Sequence, residues 1–287
     1  MPYVLRHRDD LRQLLSAASC HEVRLTMQYQ RIAVFGGIYN NHLALATAIG
    51  DARQRGAEAL FCLGDLGGFG PNPDRVYSLL QENGVQVMRG NYDISLAAGL
   101  EDCGCGYTDP RDNYFAEISY NYTFQQTSDI HKRWLATLPD ALRVPLGRYR
   151  LHMCHGSPRQ VNEFLWESTT PDCLLEKFCQ DYQTDAVLCT HTGIKWHREL
   201  PHDRHGINVG VLGRPENTGE THVWYTLLTA DPVLQVDFIP VHYDYQALAQ
   251  EMRQEGLPEE FVETIVSGWW TTCLEVLPGK ERAQGRW

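Results

Sequence analysis

Three short apolar runs, at residues 31–35, 59–63 and 85–88, alternate with two stretches whose apolar residues recur at helical spacing. In the first stretch, 42–55, Leu43, Leu45, Ala46 and Ile49 make the apolar set, and Gly56 stands at its C-terminal end. The second covers 73–83. The short runs suit buried strands, and glycines mark the end of the first. Strand, helix, strand, helix, strand in this order predicts an α/β layered sheet.

Further strands are expected at 149–154, 186–189 and 206–209, followed by an antiparallel pair at 221–228 and 233–240 divided by Asp231-Pro232. Beyond them, 245–252 and 259–266 read as two helices separated by Gly256-Leu257-Pro258. Residues 1–30 carry a mixed helical pattern through Leu11, Leu14 and Leu15. With no internal repeat or linker, the expected organisation is an N-terminal extension over 1–30, one large domain over 31–240, and a helical tail over 241–287 packed on that domain.

A chain of 287 residues, 43% hydrophobic and 21% charged, can bury a full core. No stretch approaches the roughly 18 apolar residues of a membrane span. Arg6, Arg8, Asp9 and Asp10 leave no apolar signal region near the start, so the reading is cytoplasmic, with no membrane partner. The formal charge of −11 opposes binding to nucleic-acid phosphates but allows a local basic pocket for a small anion. The nine cysteines are odd in number and scattered, so most are expected reduced and buried. Cys103 and Cys105 read as a tight glycine-supported turn carrying two small apolar side chains, since C-x-C lacks the two-residue spacer and second pair of a zinc site.

Open α/β sheets place ligands beyond the carboxyl ends of their strands. Four polar clusters fall there: Gly64-Asp65, Gly90-Asn91-Tyr92-Asp93, His155-Gly156-Ser157-Pro158 and Thr190-His191-Thr192. A lone Asp or His at a strand end is an ordinary cap. Four in succession, each beside a small residue that gives backbone access, point to a ligand site.

Leu63-Gly-Asp-Leu-Gly-Gly-Phe-Gly-Pro-Asn-Pro73, Arg89-Gly-Asn-Tyr-Asp93, His155-Gly-Ser-Pro158 and Thr190-His-Thr192 resemble the ordered motifs of calcineurin-like metallophosphoesterases. The likeness is to the bacterial phosphodiesterase and diadenosine-tetraphosphatase-like branch. Asn208-Val-Gly-Val-Leu-Gly-Arg-Pro215 resembles the segment that closes that family's core, so the likeness runs from about residue 31 to 240. It implies a two-sheet α/β/β/α sandwich with a two-metal site at one edge. Carried over residue by residue, the ligands of the second metal are present as Asp65, Asn91, His155 and His191, with Asp65 in the bridging position. The private ligands of the first metal are missing: Gly37 and Tyr39 stand where Asp-x-His is expected, and Gly193 where the second His of the last motif is expected.

One carboxylate, one amide oxygen and two imidazoles suit a single divalent transition ion such as Zn²⁺, Mn²⁺ or Fe²⁺. The resemblance therefore implies a mononuclear phosphoesterase acting on a small phosphate ester or nucleotide; the alternative is a weakly active or inactive descendant that binds a phosphorylated metabolite or a partner protein. Tyr92 takes the position of the family's proton-donating His, and Asp93 either orients Tyr92 or caps the next helix. Among Arg89, Arg159, Arg198 and Arg214, each within a few positions of a site motif, Arg214 and Arg89 are the chosen phosphate contacts. Tyr39, His42 and His197 read as wall residues, and Trp269-Trp270 as core or dimer packing, which leaves a homo-oligomer open.

Overall fold

A computed structural model describes residues 21–285. The helical pattern expected at Leu11, Leu14 and Leu15 lies outside the described residues. Two sheets face each other. The first contains β2 (Arg31–Phe35), β3 (Ala59–Cys62), β4 (Gln86–Val87), β10 (Val223–Ala230) and β11 (Leu234–Val241) in the order β11-β10-β2-β3-β4. The second contains β1 (Glu22–Arg24), β5 (Ala141–Leu146), β6 (Tyr149–Met153), β7 (Ala186–Cys189), β8 (Trp196–Leu200) and β9 (Arg204–Asn208) in the order β1-β5-β6-β7-β9-β8.

Alternation along each strand assigns side chains to layers. Ile32 and Val34 on β2 face inward and meet Leu151, Met153, Leu188 and Ile207 of the opposite sheet. Ala33 and Phe35 point outward and are covered by Ala44, Leu45, Ala48 and Ala52 of α1 (His42–Gln54) and by Val76, Tyr77 and Leu80 of α2 (Pro73–Glu82). On the far face of the second sheet, Val187 and Cys189 pack against Leu175, Phe178 and Cys179 of α6 (Asp172–Asp181). The result is the expected α/β/β/α sandwich.

The helical layer over the first sheet continues in α3 (Asn91–Ala98), α4 (Pro110–Gln126) and α5 (Asp129–Leu135), whose Leu96, Tyr120 and Leu135 join the same cluster. The tail forms α7 (Tyr245–Gln254), α8 (Glu259–Ser267) and α9 (Gly279–Gln284). Part of the segment read as an N-terminal extension joins the sandwich: β1 pairs in parallel with β5, and Tyr29 is buried in the inter-sheet core.

Strand direction positions the site. β2, β3 and β4 run parallel in one sheet, and β6, β7 and β9 run parallel in the other. Their carboxyl ends open at the same edge of the sandwich, where Asp65 from the loop after β3 meets His155 from the loop after β6.

Candidate metal centre

Two loops must pass unusually close for this meeting. A Cβ on Gly64 would lie 2.2 Å from the Gly90 nitrogen, and one on Gly90 would lie 2.3 Å from Asp65 Oδ1, so no side chain is tolerated at either place. Asp93 clamps the two loops. Its Oδ2 accepts from the Asp65 and Gly90 amides, each at 2.8 Å, and its Oδ1 accepts from the Leu66 amide at 3.1 Å. Burial, and then the Asp65 charge, push the Asp93 carboxyl up, while the amides oppose that rise. The carboxylate bonds three backbone donors, so of the two roles expected of Asp93 these contacts match the cap of α3.

The cluster itself is compact. The ligand atoms of Asp65, His155 and His191 all lie within 4.8 Å of one another, and all three residues are buried. His155 Nε2 stands 3.2 Å from Asp65 Oδ2 and 3.2 Å from His191 Nδ1. His155 Nδ1 bonds the Leu63 carbonyl at 2.6 Å, which places the proton there and turns the Nε2 lone pair toward the cluster. Asp65 Oδ1 accepts from the Tyr92 amide at 3.0 Å, leaving Oδ2 to face the imidazoles. Asp65 and His191 hold φ values of 54° and 65°, a left-handed conformation that costs a non-glycine residue about 1–3 kcal/mol and recurs where function over-determines the backbone.

The electrostatics follow from burial and contact. Burial disfavours the Asp65 carboxylate, but the charges and hydrogen bonds of His155 and His191 outweigh it and hold the group below the usual range. Burial opposes the His155 imidazolium too, and Asp65 more than compensates. His191 goes the other way: burial, then the His155 charge, pull it down to about 3. A neutral imidazole at 191 is the form that ligates metal. Asn91 completes the set. Its Nδ2 donates to the Cys103 carbonyl at 2.9 Å, while its buried Oδ1 has no hydrogen-bond partner. A carboxylate and two imidazoles within reach of one another fit a divalent ion, and the orphaned Asn91 oxygen is the fourth donor the motif expects.

Beside the cluster opens a cavity of about 60 Å³ lined by Asp65, His191, Tyr92, Arg214 and the aromatic rings of Phe69, Phe115 and Phe261. Arg214 is 6% exposed and forms no ion pair among the described residues. Its guanidinium lies 3.7 Å over the Trp270 ring, and its Nε has no partner. The other arginines go elsewhere. Arg89 is paired with Asp140 at 2.7 Å, Arg159 with Glu163, and Arg198 with Asp172 at 2.9 Å. Arg89, expected as a phosphate contact, already has a carboxylate partner in Asp140.

Tyr92 lines the cavity, and its hydroxyl donates to Ser119 Oγ of α4 at 2.9 Å; burial pushes its pKa far above the ordinary value. His42 contacts Arg75 and Glu251 at the start of α1, and His197 faces His205 across β8 and β9; neither lines this cavity.

The positions where the resemblance expects ligands of the first metal are crowded. A Cβ on Gly193 would lie 3.1 Å from the Trp270 ring and 3.4 Å from Arg214 Nη2, and one on Gly37 would lie 2.5 Å from the Tyr39 ring. Tyr39, Arg214 and Trp270 form one packed wall there, and Trp270 Nε1 ties the tail to the Pro215 carbonyl at 2.7 Å. Cys103 and Cys105 are joined by a disulfide, where a turn of two separate thiols was expected. Ser119, Tyr107 and Cys273 also line the cavity. The sequence reading missed them because each lies outside the strand-end clusters, and only its fold neighbours bring it there.

No known family model matches the chain. An uncharacterized protein of Methanocaldococcus jannaschii is 24% identical over 251 residues, covering 83% of this chain and 98% of that protein. A metallophosphoesterase from Sphaerobacter thermophilus superposes with a TM-score of 0.64 at 23% identity, over 84% of this chain and 99% of its own. A hypothetical protein from Pyrococcus horikoshii OT3 does so with a TM-score of 0.71 at 23% identity, over 85% of this chain and 100% of its own. The fold of this chain is that of the calcineurin-like metallophosphoesterases.

Proposed function

We propose that the chain is a metal-dependent phosphoesterase that hydrolyses a small phosphate ester or nucleotide through one divalent transition ion. The observation that carries this reading is the convergence of Asp65, His155 and His191 around shared space, beside a buried guanidinium that has no carboxylate. Asp65, His155, His191 and the Asn91 oxygen are the groups that would hold the ion. Bound there, a divalent ion supplies Lewis-acid polarisation of a phosphoryl oxygen and a lowered pKa for a bound water.

The chain's own groups account for the rest. Arg214 binds the phosphate within the same cavity, since its planar fork matches phosphate oxygens and it has no carboxylate partner among the described residues. Tyr92, held protonated by its buried setting, would give its proton to the leaving group by turning it from Ser119 Oγ. A tyrosine held so far above neutrality is a poor acid, so turnover is slow. Phe69, Phe115 and Phe261 exclude water from the pocket. The name of the Sphaerobacter thermophilus neighbour supports the same reaction class.

A second reading has its own support. The packed wall of Tyr39, Arg214 and Trp270 crowds the place of a second ion, as suits a protein that holds a phosphorylated metabolite or partner without cleaving it. Metal analysis combined with assays on phosphomonoesters, phosphodiesters and dinucleoside polyphosphates separates the two. The hydrolase reading expects about one equivalent of metal, lost in His191→Ala together with activity. Metal binding with no turnover of any ester would leave the binding reading in its place.

A further inference from the structure

We propose that residues 102–106, closed by the Cys103–Cys105 disulfide, form a redox-sensitive positioning device for the metal ligands, and that reducing the bond lowers the site's affinity for a divalent ion. The proposal rests on the reading that Asp65, Asn91, His155 and His191 hold that ion.

The Asn91 amide has two ends, and this segment holds one of them. Nδ2 donates to the Cys103 carbonyl at 2.9 Å and lies 3.5 Å from Cys105 Sγ. With the NH₂ end fixed, the amide cannot flip, and Oδ1 keeps a single direction. One short loop thus fixes the Asn91 amide, and its Cys105 lines the same cavity as Asp65 and His191.

The covalent bond and the burial of both cysteines in the apolar core hold the loop in place. The loop belongs to no helix or strand, and Gly104 and Gly106 sit at φ values of 61° and 82°. Its other ties are polar: the Gly104 amide donates to Asp102 Oδ1 and Asn162 Nδ2 donates to the Gly104 carbonyl, each at 2.8 Å. Closing residues 103 to 105 into a ring restrains where the Cys103 carbonyl and the Cys105 sulfur point. Cys105 lines the cavity, so a small reductant approaches from there. The step is a two-electron reduction by a dithiol: the S–S bond breaks, two S–H bonds form, and the reductant leaves as its own disulfide. The freed loop then no longer anchors Asn91.

The test is a Mn²⁺ titration by calorimetry of the full chain, oxidised and dithiol-reduced, each desalted anaerobically. Mn²⁺ is chosen because soft thiols are poor ligands for it, so the new S–H groups do not bind the probe. Losing an outer-shell anchor weakens affinity about tenfold or more. The reduced protein is expected to bind more weakly by that factor with unchanged far-ultraviolet circular dichroism. Cys103→Ser should match the reduced form and ignore reductant, while Cys273→Ser should keep the full difference. The proposal is overturned by equal affinities of the two wild-type forms, or by a difference that persists in Cys103→Ser. Mn²⁺ binding by neither form removes the metal-site reading as well. Should Cys103→Ser fail to fold, the oxidised and reduced wild-type chains still decide the question, being the same polypeptide.

Discussion

Arg214 is a charge the fold keeps at a cost, and replacing it separates stability from function. A guanidinium held without a carboxylate costs several kcal/mol after relaxation, of which stacking on Trp270 at 3.7 Å offsets about 2 kcal/mol. Arg214→Met keeps the length of the stem and removes the charge, so it should stabilise the anion-free protein by roughly 1–3 kcal/mol. For a domain of this size that raises Tm by about 2–6 °C. Inorganic phosphate should act oppositely on the two proteins. Metal-free wild type gains about 2.7 kcal/mol at 100 times Kd, whereas the variant gains almost nothing. Thermal unfolding of both proteins across a phosphate series reads both effects. If Arg214→Met unfolds more easily than wild type without anion, the guanidinium is a packing element and the phosphate role assigned to it is wrong.

Burial, helped by the Arg143 charge, pulls the His152 imidazole down to about 4, so the native state holds it neutral while the unfolded chain protonates near 6.5. That stability is present above about pH 6.5 and lost as pH falls toward 4, roughly 3 kcal/mol in all. Urea unfolding across this range should show the loss in wild type and a flatter limb in His152→Leu, and identical limbs would remove His152 as the cause. Asp93→Asn puts an NH₂ against a backbone N–H and should cost about 1–3 kcal/mol while weakening metal binding; calorimetry showing unchanged metal affinity would mean the clamp does not position Asp65. Gly193→His should destabilise by about 1–3 kcal/mol, since φ is 83° and Trp270 stands against the new Cβ. Combined with Gly37→Asp and Tyr39→His it should still bind one ion, and a second ion measured by mass spectrometry would show that the packed wall yields.

The strands that carry the site were readable because each is a short, largely buried run ending in a glycine-flanked polar cluster. The same logic brought Asp65, Asn91, His155 and His191 to one edge. What the sequence hid is instructive in α4, which was assigned no element. Its buried face holds Asp112, Ser119 and Thr123 beside Phe115 and Tyr120, so the helical period of apolar residues is broken by polar groups. Those groups are inside because they bond other backbone: Ser119 Oγ accepts from the Phe69 amide at 2.6 Å, Thr123 Oγ1 from the Gly68 amide at 3.2 Å, and Asp112 Oδ2 from the Val276 amide at 3.1 Å. The short strand β1, paired only at the sheet edge, likewise carries too little pattern to read. The crowded half-site was illegible for another reason. Tyr39, Arg214 and Trp270 are far apart in sequence, and only the packing of the tail joins them.

That tail divides the labour of the molecule along the chain. Every proposed metal ligand falls between residues 65 and 191, while Phe261, Thr272 and Cys273 of the cavity wall come from beyond residue 258. Chemistry and admission are therefore inherited separately. Changes confined to the last thirty residues can redraw the mouth of the pocket without disturbing a single ligand. Exchanging this segment among proteins of the same fold is thus a direct route to altered substrate choice, with the metal-binding edge left as it stands.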